Sequence, residues 1–187
     1  MQFWTFVHIF ALGNIRPTME VKELIFERLR ATRRKNIEAV ISHMEQYAFF
    51  ERSSSRHHRN IGGLAEHAWQ SYLFAQKVEA EQMDSNPKRT PLDADSIAIC
   101  ALLHDFCRCG GLRYVFPHKH GIRSAEMLKV LGLELSREEY IAIRYHMGLK
   151  NKENEPLYPE ALKSQLRYVI SRADGKSAAM NEGYEVE

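Results

Sequence analysis

Apolar residues along this chain recur with the period of a helix and seldom alternate. From Val21 to Phe50, the residues Leu24, Ile25, Leu29, Ile37, Val40, Ile41, Met44 and Tyr47 fall at helical spacing, which predicts helix through this stretch. The basic run from Arg28 to Lys35 interrupts that stripe and reads as a solvated face. A polar loop, Arg52 to Asn60, closes on Gly62 and Gly63. A second helix is predicted from Leu64 to about Met83, with Leu64, Ala68, Tyr72, Ala75 and Val78 along one side. Prolines and turn formers mark 84–91 as a loop. A third helix, about Asp93 to Cys107, is almost wholly apolar from Ile97 to Leu103 and is expected at the centre of the molecule, with Gly110 and Gly111 as its stop. A short helix near Arg123–Leu131 follows. The next runs from Ser136 to Met147, opened by Ser136 and Glu139 at capping-box spacing. After the polar loop from Asn151 to Pro159, a last helix runs from about Pro159 to Met180. No segment shows a persuasive strand pattern, a repeat or an internal linker. The pattern therefore predicts one all-α domain over 20–180 and an acidic, frayed tail over 181–187.

Residues 1–19 read differently. The apolar run from Phe3 to Ile15 is shorter than the ~20 residues that span a bilayer. It also lacks the basic start and small-residue cleavage site of a signal peptide. It is expected to be an upstream extension, a translation start placed too early being one account of it. A small packing strand or membrane-contacting segment is the competing account.

Composition narrows the class. Of 187 residues, 44% are apolar and 27% charged, which excludes a disordered chain, a collagen-like fibre and a disulfide scaffold. A net charge of +2 argues against nucleic-acid binding by bulk positive charge, while leaving room for a local basic pocket. The three cysteines, Cys100, Cys107 and Cys109, are odd in number and closely spaced, with no secretory leader; a reduced, cytoplasmic protein with no membrane partner is expected. Nine histidines are present, most of them between 57 and 146, so a metal site is the first chemistry to test.

The pair His104-Asp105 carries that chemistry. Aspartate is rarely buried without a partner, yet Asp105 directly follows an apolar run. A cation held jointly by imidazole and carboxylate supplies the compensation. Neighbouring helical residues diverge by ~100°, so further ligands must come from other helices. His67, near the start of the second helix, and Asp174, in the last, are the candidates. Two imidazoles and two carboxylates suit a divalent Mn, Fe, Co, Ni, Zn or Mg ion.

The order His67, His104-Asp105, Asp174 resembles that of the HD-domain metal-dependent phosphohydrolase superfamily. His57-His58, Gly62-Gly63-Leu64 and Glu66-His67 resemble the HD modules related to bacterial 3′–5′ exoribonucleases. Ala101 through His104-Asp105 is similar to the core motif. His120 to Ser124 and Ala142 to Gly148 resemble the third and fourth histidine motifs of small bacterial HD hydrolases. The likeness covers roughly 57–180. It implies a helical bundle around a metal with His67, His104, Asp105 and Asp174 as ligands, Asp105 bridging when a second ion binds. It also implies that His120 and His146 either bind that second ion or contact substrate phosphate; the flanking Lys119 and Arg123 favour phosphate. Where many members read His-Asp-x-Gly-Lys, this chain has Cys107 for the glycine and Arg108 for the lysine. Arg108 retains the charge as a fork, and Cys107 adds bulk to the pocket floor.

The remaining candidates are weighed against plainer readings. Cys107 and Cys109 read as helix-end cysteines rather than ligands, and His118 as a surface or outer-sphere residue. His57, His58 and Arg59 line the substrate side on one reading and a solvated loop on the other. His8 and His43 read as structural. Tyr145 and Trp69 read as core, with base stacking the lesser alternative. The expected activity is metal-dependent hydrolysis of a nucleotide-type phosphomonoester or phosphodiester, with Asp105, His120, His146 and Arg108 as the catalytic set. An exonuclease acting on short RNA or DNA, a non-catalytic metal or nucleotide sensor, and an HD-type oxygenase at paired irons are the alternatives.

Overall fold

The computed structural model describes residues 17–54, 57–110 and 120–181, and all regular structure among them is helical. Most of the 1–19 extension, with His8, lies outside the described residues, as do Gly111, His118, Lys119 and the tail from 182 onward. Helix α1 spans Pro17–Ala31 and α2 Ile37–Gln46. Helix α3 spans Gly63–Ser85 and α4 Ala94–Leu103. A 3-10 turn, Phe106–Arg108, follows. Then come α5 (His120–Val130), α6 (Arg137–Arg144), α7 (Tyr158–Lys163) and α8 (Gln165–Asn181).

Five of the expected helices depart from their bounds; α5 begins at His120 rather than near Arg123, and α6 ends at Arg144 rather than Met147. The stretch expected to be helical from Val21 to Phe50 is two helices, because Arg33 (φ 50°) and Asn36 (φ 63°) turn into the left-handed region between them. The turn is held by Asn36 Nδ2, which donates to the carbonyl of Gly132 at 2.6 Å. The last helix breaks at Ser164, which is extended and whose hydroxyl accepts the Arg167 N–H at 3.1 Å, capping α8. Helix α4 ends at Leu103 rather than Cys107: Asp105 leaves helical geometry at φ −98° and ψ 15°. The expected solvated face also needs correction. Arg28 pairs with Asp95 at 2.8 Å and with the Tyr72 hydroxyl at 2.9 Å. Arg34 grips the buried Glu139 with both terminal nitrogens, at 2.7 and 3.2 Å. Arg30 alone of the three stays at the surface, on Glu38.

The core is one cluster that draws on every element but the short α7. Helix α4 is buried at every position from Ile97 to Leu103 and sits at its centre. Helix α3 buries Leu64, Ala65, Ala68, Ala75 and Val78 and packs most extensively on α8, which returns Val169, Ile170 and Ala173. Val169, Ile170 and Ala173 lie on one face of α8, with Asp174 and Ser177 on its adjoining edge, so this packing also brings α8's polar residues against α3. Tyr145 is fully buried in a smaller cluster with Ile141 and Ala161, and Trp69 packs against Tyr72 at the core margin. No described helix is long and apolar enough to cross a membrane.

Candidate metal centre

Five helices deliver polar residues to one point beside α4. His67 lies one turn into α3, His104 and Asp105 close α4, His120 begins α5, His146 lies two residues past α6, and Asp174 comes from the middle of α8. Two glycines permit the approach. A Cβ on Gly63 would lie 2.0 Å from the carbonyl oxygen of His58, so only glycine lets α3 start beside that loop. A Cβ on Gly121 would lie 2.4 Å from the carbonyl oxygen of Arg144, so only glycine lets α5 begin against the end of α6. The second approach sets His120 next to His146, with ring centroids 5.3 Å apart. The break of α4 at Leu103 turns Asp105 into the same space as its neighbour, with Oδ1 3.8 Å from His104 Nε2.

The histidines are anchored by their outer nitrogens. His104 Nδ1 donates to the Ala101 carbonyl at 2.8 Å, and His146 Nδ1 to the Ile143 carbonyl at 2.7 Å. A carbonyl only accepts, so each of these Nδ1 atoms carries the hydrogen and each neutral ring presents a lone pair at Nε2. His67 Nδ1 lies 2.9 Å from Ser177 Oγ, whose own hydrogen goes to the His67 carbonyl at 3.3 Å; His67 Nε2 is then a lone pair as well. These inner nitrogens face one another and the carboxylates. His67 Nε2 is 3.1 Å from His104 Nε2 and 3.1 Å from Asp174 Oδ1, and His104 Nε2 is 3.6 Å from the same oxygen. His146 Nε2 lies 3.5 Å from Asp105 Oδ1 and, though buried, has no hydrogen-bond partner. With these rings neutral, acceptors meet acceptors in a water-poor interior, an arrangement that a proton on His104 relieves in part and a cation at the centre resolves.

Two overlapping sets, buried but for the partly exposed Asp174, have ligand atoms mutually within 4.8 Å: His67, His104 and Asp174, and His104, Asp105 and His146. These buried His/Asp groups can hold a metal ion. His120 Nε2 also bonds Asp105 Oδ1. Arg108 reaches the centre through Asp105: its Nε holds Asp105 Oδ2 at 2.6 Å, leaving Oδ1 to the histidines.

The electrostatics follow from these contacts. Burial opposes the charge on Asp105, but His104 and His120 outweigh it and hold the carboxyl well below the usual range. Burial likewise opposes the charge on Asp174, and His104 and His67 beside it hold its value below the usual carboxylate range. Burial pushes His67 down to about 4 despite Asp174. His104 is also penalised by burial, yet Asp105 and Asp174 raise it to about 9. Without metal, a proton on His104 partly neutralises the two carboxylates. Burial lowers His146.

The pair His57-His58 is packed beside the centre rather than in a solvated loop. Its rings lie 4.5 and 5.2 Å from that of His67. His58 is fully buried in a left-handed conformation (φ 47°), with Nε2 on Gln70 Oε1 at 2.9 Å and Nδ1 3.1 Å from His57 Nδ1. With His67 the pair forms a third set of potential ligand atoms. Arg59 is exposed, and Arg123 lies in the first turn of α5. His43 is remote, with Nε2 3.2 Å from the Gly110 carbonyl. The two thiols in question diverge: Cys109 meets the carbonyls of His43 and Tyr47 at 3.6 and 3.5 Å, while Cys107 meets His120 at 3.0 Å. Sequence reasoning missed Ser177 and Gln70. Ser177 was within reach, since it lies three residues after Asp174 and so shares its helix face.

Comparison of the chain with family models, with curated protein sequences and with solved structures returns no match.

Proposed function

We propose that this protein is a metal-dependent phosphoric ester hydrolase of the HD type. The observation that carries the reading is the buried, unpartnered Nε2 of His146 beside the Asp105 carboxylate, in a cluster whose outer nitrogens are already anchored. A structural polar network saturates its donors and acceptors; this one leaves lone pairs converging, as a metal site does. His67, His104, Asp105 and Asp174 would hold one cation. Asp105, His120 and His146 would hold a second, since the ring of His146 is oriented as a ligand and is too deeply buried to greet a phosphate. The mixed imidazole–carboxylate donor set suits Mn, Fe, Co, Ni, Zn or Mg.

When bound, such cations supply Lewis-acid polarisation of a phosphoryl oxygen and lower the pKa of a coordinated water. The chain's own residues supply the rest. Arg108 fixes the Asp105 carboxylate so that Oδ1 stays turned inward. The first-turn N–H groups of α5, which begins at His120, have no helical partners and favour the non-bridging oxygens of a phosphoester. Arg123 adds positive charge in the same turn. The substrate class that fits is a nucleotide-type phosphomonoester or small phosphodiester.

The test is to purify the full chain without chelator, measure its metal content, and assay a panel of phosphoesters with each divalent cation. At least one bound ion and turnover of a phosphoester are expected. A protein with no metal and no turnover under any cation overturns the reading. Metal and nucleotide binding without turnover would make it a sensor.

A further inference from the structure

His120 differs from the other rings of the centre in what holds its outer nitrogen. His104 and His146 rest on main-chain carbonyls and His67 on a serine hydroxyl, whereas His120 Nδ1 meets the sulfur of Cys107 at 3.0 Å. The contact is built in from two sides. Cys107 is only 2% exposed, and its N–H donates to the hydroxyl of the buried Ser124, in the second turn of α5, at 3.1 Å. The 3-10 turn and the start of α5 are therefore pinned together, with thiol facing imidazole.

In this structure His120 Nε2 bonds Asp105 Oδ1, a carboxylate that can only accept, so Nε2 carries hydrogen. In the neutral ring Nδ1 is then a lone pair, and the thiol S–H points to it. Binding a cation through Nε2 demands the opposite tautomer, with the hydrogen moved to Nδ1 and sulfur, a weak acceptor, as its only partner in this contact. His104 and His146 already keep a hydrogen on Nδ1, as ligation through Nε2 needs, and their carbonyls accept it strongly. The orphaned Nε2 of His146, on the same side of Asp105, marks that side as a cation position independently of the cysteine.

We propose that Cys107 is a positioning residue that makes the Asp105–His120–His146 side the weaker of two cation positions, while the His67–His104–Asp174 side keeps its ion. The inference rests on the metal-centre reading above and extends it to the ranking of the two positions. Partners of a metal-bound imidazole typically change affinity by about 10–100-fold. Serine at 107 would offer oxygen, a better acceptor of the Nδ1 hydrogen; alanine would offer none.

The experiment is a Mn2+ titration of the metal-free full chain by calorimetry, with bound manganese counted by elemental analysis. Wild type, Cys107→Ser and Cys107→Ala are compared, and the unfolding midpoint of each confirms folding. Two classes of Mn2+ are expected in the wild type. The weaker should tighten about tenfold in Cys107→Ser and loosen about tenfold in Cys107→Ala, the tighter staying fixed. Nitrogen-15 spectra of the imidazoles should place the His120 hydrogen on Nε2 without metal and on Nδ1 with it. A weaker class that ignores residue 107, both classes moving together, or a single class in all three proteins would overturn the proposal and leave the metal centre standing. No bound Mn2+ in the wild type would remove the centre and the proposal with it.

Discussion

Two carboxylate clusters lie at opposite ends of α4, one reached by Ser96 in its first turn and the other by His104 and Asp105 after its last, and they are built on opposite rules. Around Glu139 every acceptor has a donor. Oε1 takes the Arg34 guanidinium and the Ser96 hydroxyl, both at 2.7 Å; Oε2 takes the second Arg34 nitrogen at 3.2 Å and the Ser136 N–H at 2.7 Å. Around Asp105 and Asp174, imidazole lone pairs confront carboxylate oxygens, and one buried nitrogen has no partner. Both clusters put ionised groups in a poorly solvated interior. A saturated network joins helices; an unsaturated one is finished by something the chain does not supply. Glu139 ties the α1–α2 turn, α4 and α6 into one unit, and the second cluster leaves a centre that can hold a metal ion.

The comparison breaks first at Asp105. Asp105→Ala, or His104→Ala, should abolish metal retention and phosphoester turnover while leaving helical content intact, because the surrounding helices pack through Leu102, Leu103 and their neighbours. Circular dichroism and elemental analysis of the purified variants check this. Full metal occupancy in either one would show that the cluster is not the site.

The converse experiment strikes Glu139. Glu139→Ala strands Arg34, Ser96 and the cap of α6, and a broken buried pair costs about 3–5 kcal/mol. Urea denaturation should show a loss of that size. The folded fraction should still bind metal in the wild-type ratio, since no ligand touches Glu139. A variant of unchanged stability would mean that the saturated network holds nothing together.

Acidity separates the clusters more gently. In the metal-free protein His104 titrates at about 9 when folded against an ordinary 6.5, so its stabilisation is complete below pH 6.5 and fades as pH rises through 9. His67, at about 4, has the opposite sign: the unfolded chain gains a proton between pH 6.5 and 4 that the folded one refuses, so stability falls as pH drops through that window. Together they place the stability maximum of the metal-free protein near pH 6.5. Bound metal holds both rings deprotonated and should remove the alkaline decline. Melting curves from pH 5 to 9, with chelator and with Mn2+, would expose a metal-free protein that grows steadily more stable toward pH 9, contrary to this account.

Sequence reading served these two regions unequally. The periodicity of Ile97–Leu103 was enough to identify α4 as the central helix, and the spacing of Ser136 and Glu139 to identify the cap of α6. The same reading took Glu139 for a capping residue only and Arg34 for a solvated charge. Their pairing spans the chain from 34 to 139, and local periodicity contains no information about such a contact. The break at Arg33–Asn36 was hidden for a similar reason, a tertiary bond to Gly132 overriding a helical pattern that no proline or glycine interrupts; the break at Ser164 rests on a local cap, the Arg167 N–H on the Ser164 hydroxyl, which the spacing of apolar residues does not register. The candidate metal cluster was more legible because a His-Asp pair after an apolar run is costly unless something compensates its charge. The anchoring of its rings was not, since main-chain carbonyls leave no mark in a sequence.

The smallest effect concerns one of those anchors that is a side chain. Ser177 Oγ accepts from His67 Nδ1 and returns its hydrogen to the His67 carbonyl, so it fixes both the tautomer and the plane of the ring. It also lies 3.5 Å from Gln70 Oε1, which joins it to the His57-His58 pair. Ser177→Ala removes that control without touching any group that meets the cation. The ring can then turn or place its hydrogen on Nε2, and each molecule that does so has lost a ligand. Outer partners of this kind are worth about 10–100-fold in affinity, and the lower figure applies here because Asp174 still faces His67 Nε2 at 3.1 Å. Competition with a metallochromic chelator should therefore show the tighter ion released about tenfold more readily in Ser177→Ala, with Ser177→Thr restoring most of the loss by keeping the hydroxyl. Equal affinity in all three proteins would mean that the ring is held by its packing alone and that the hydroxyl is a bystander.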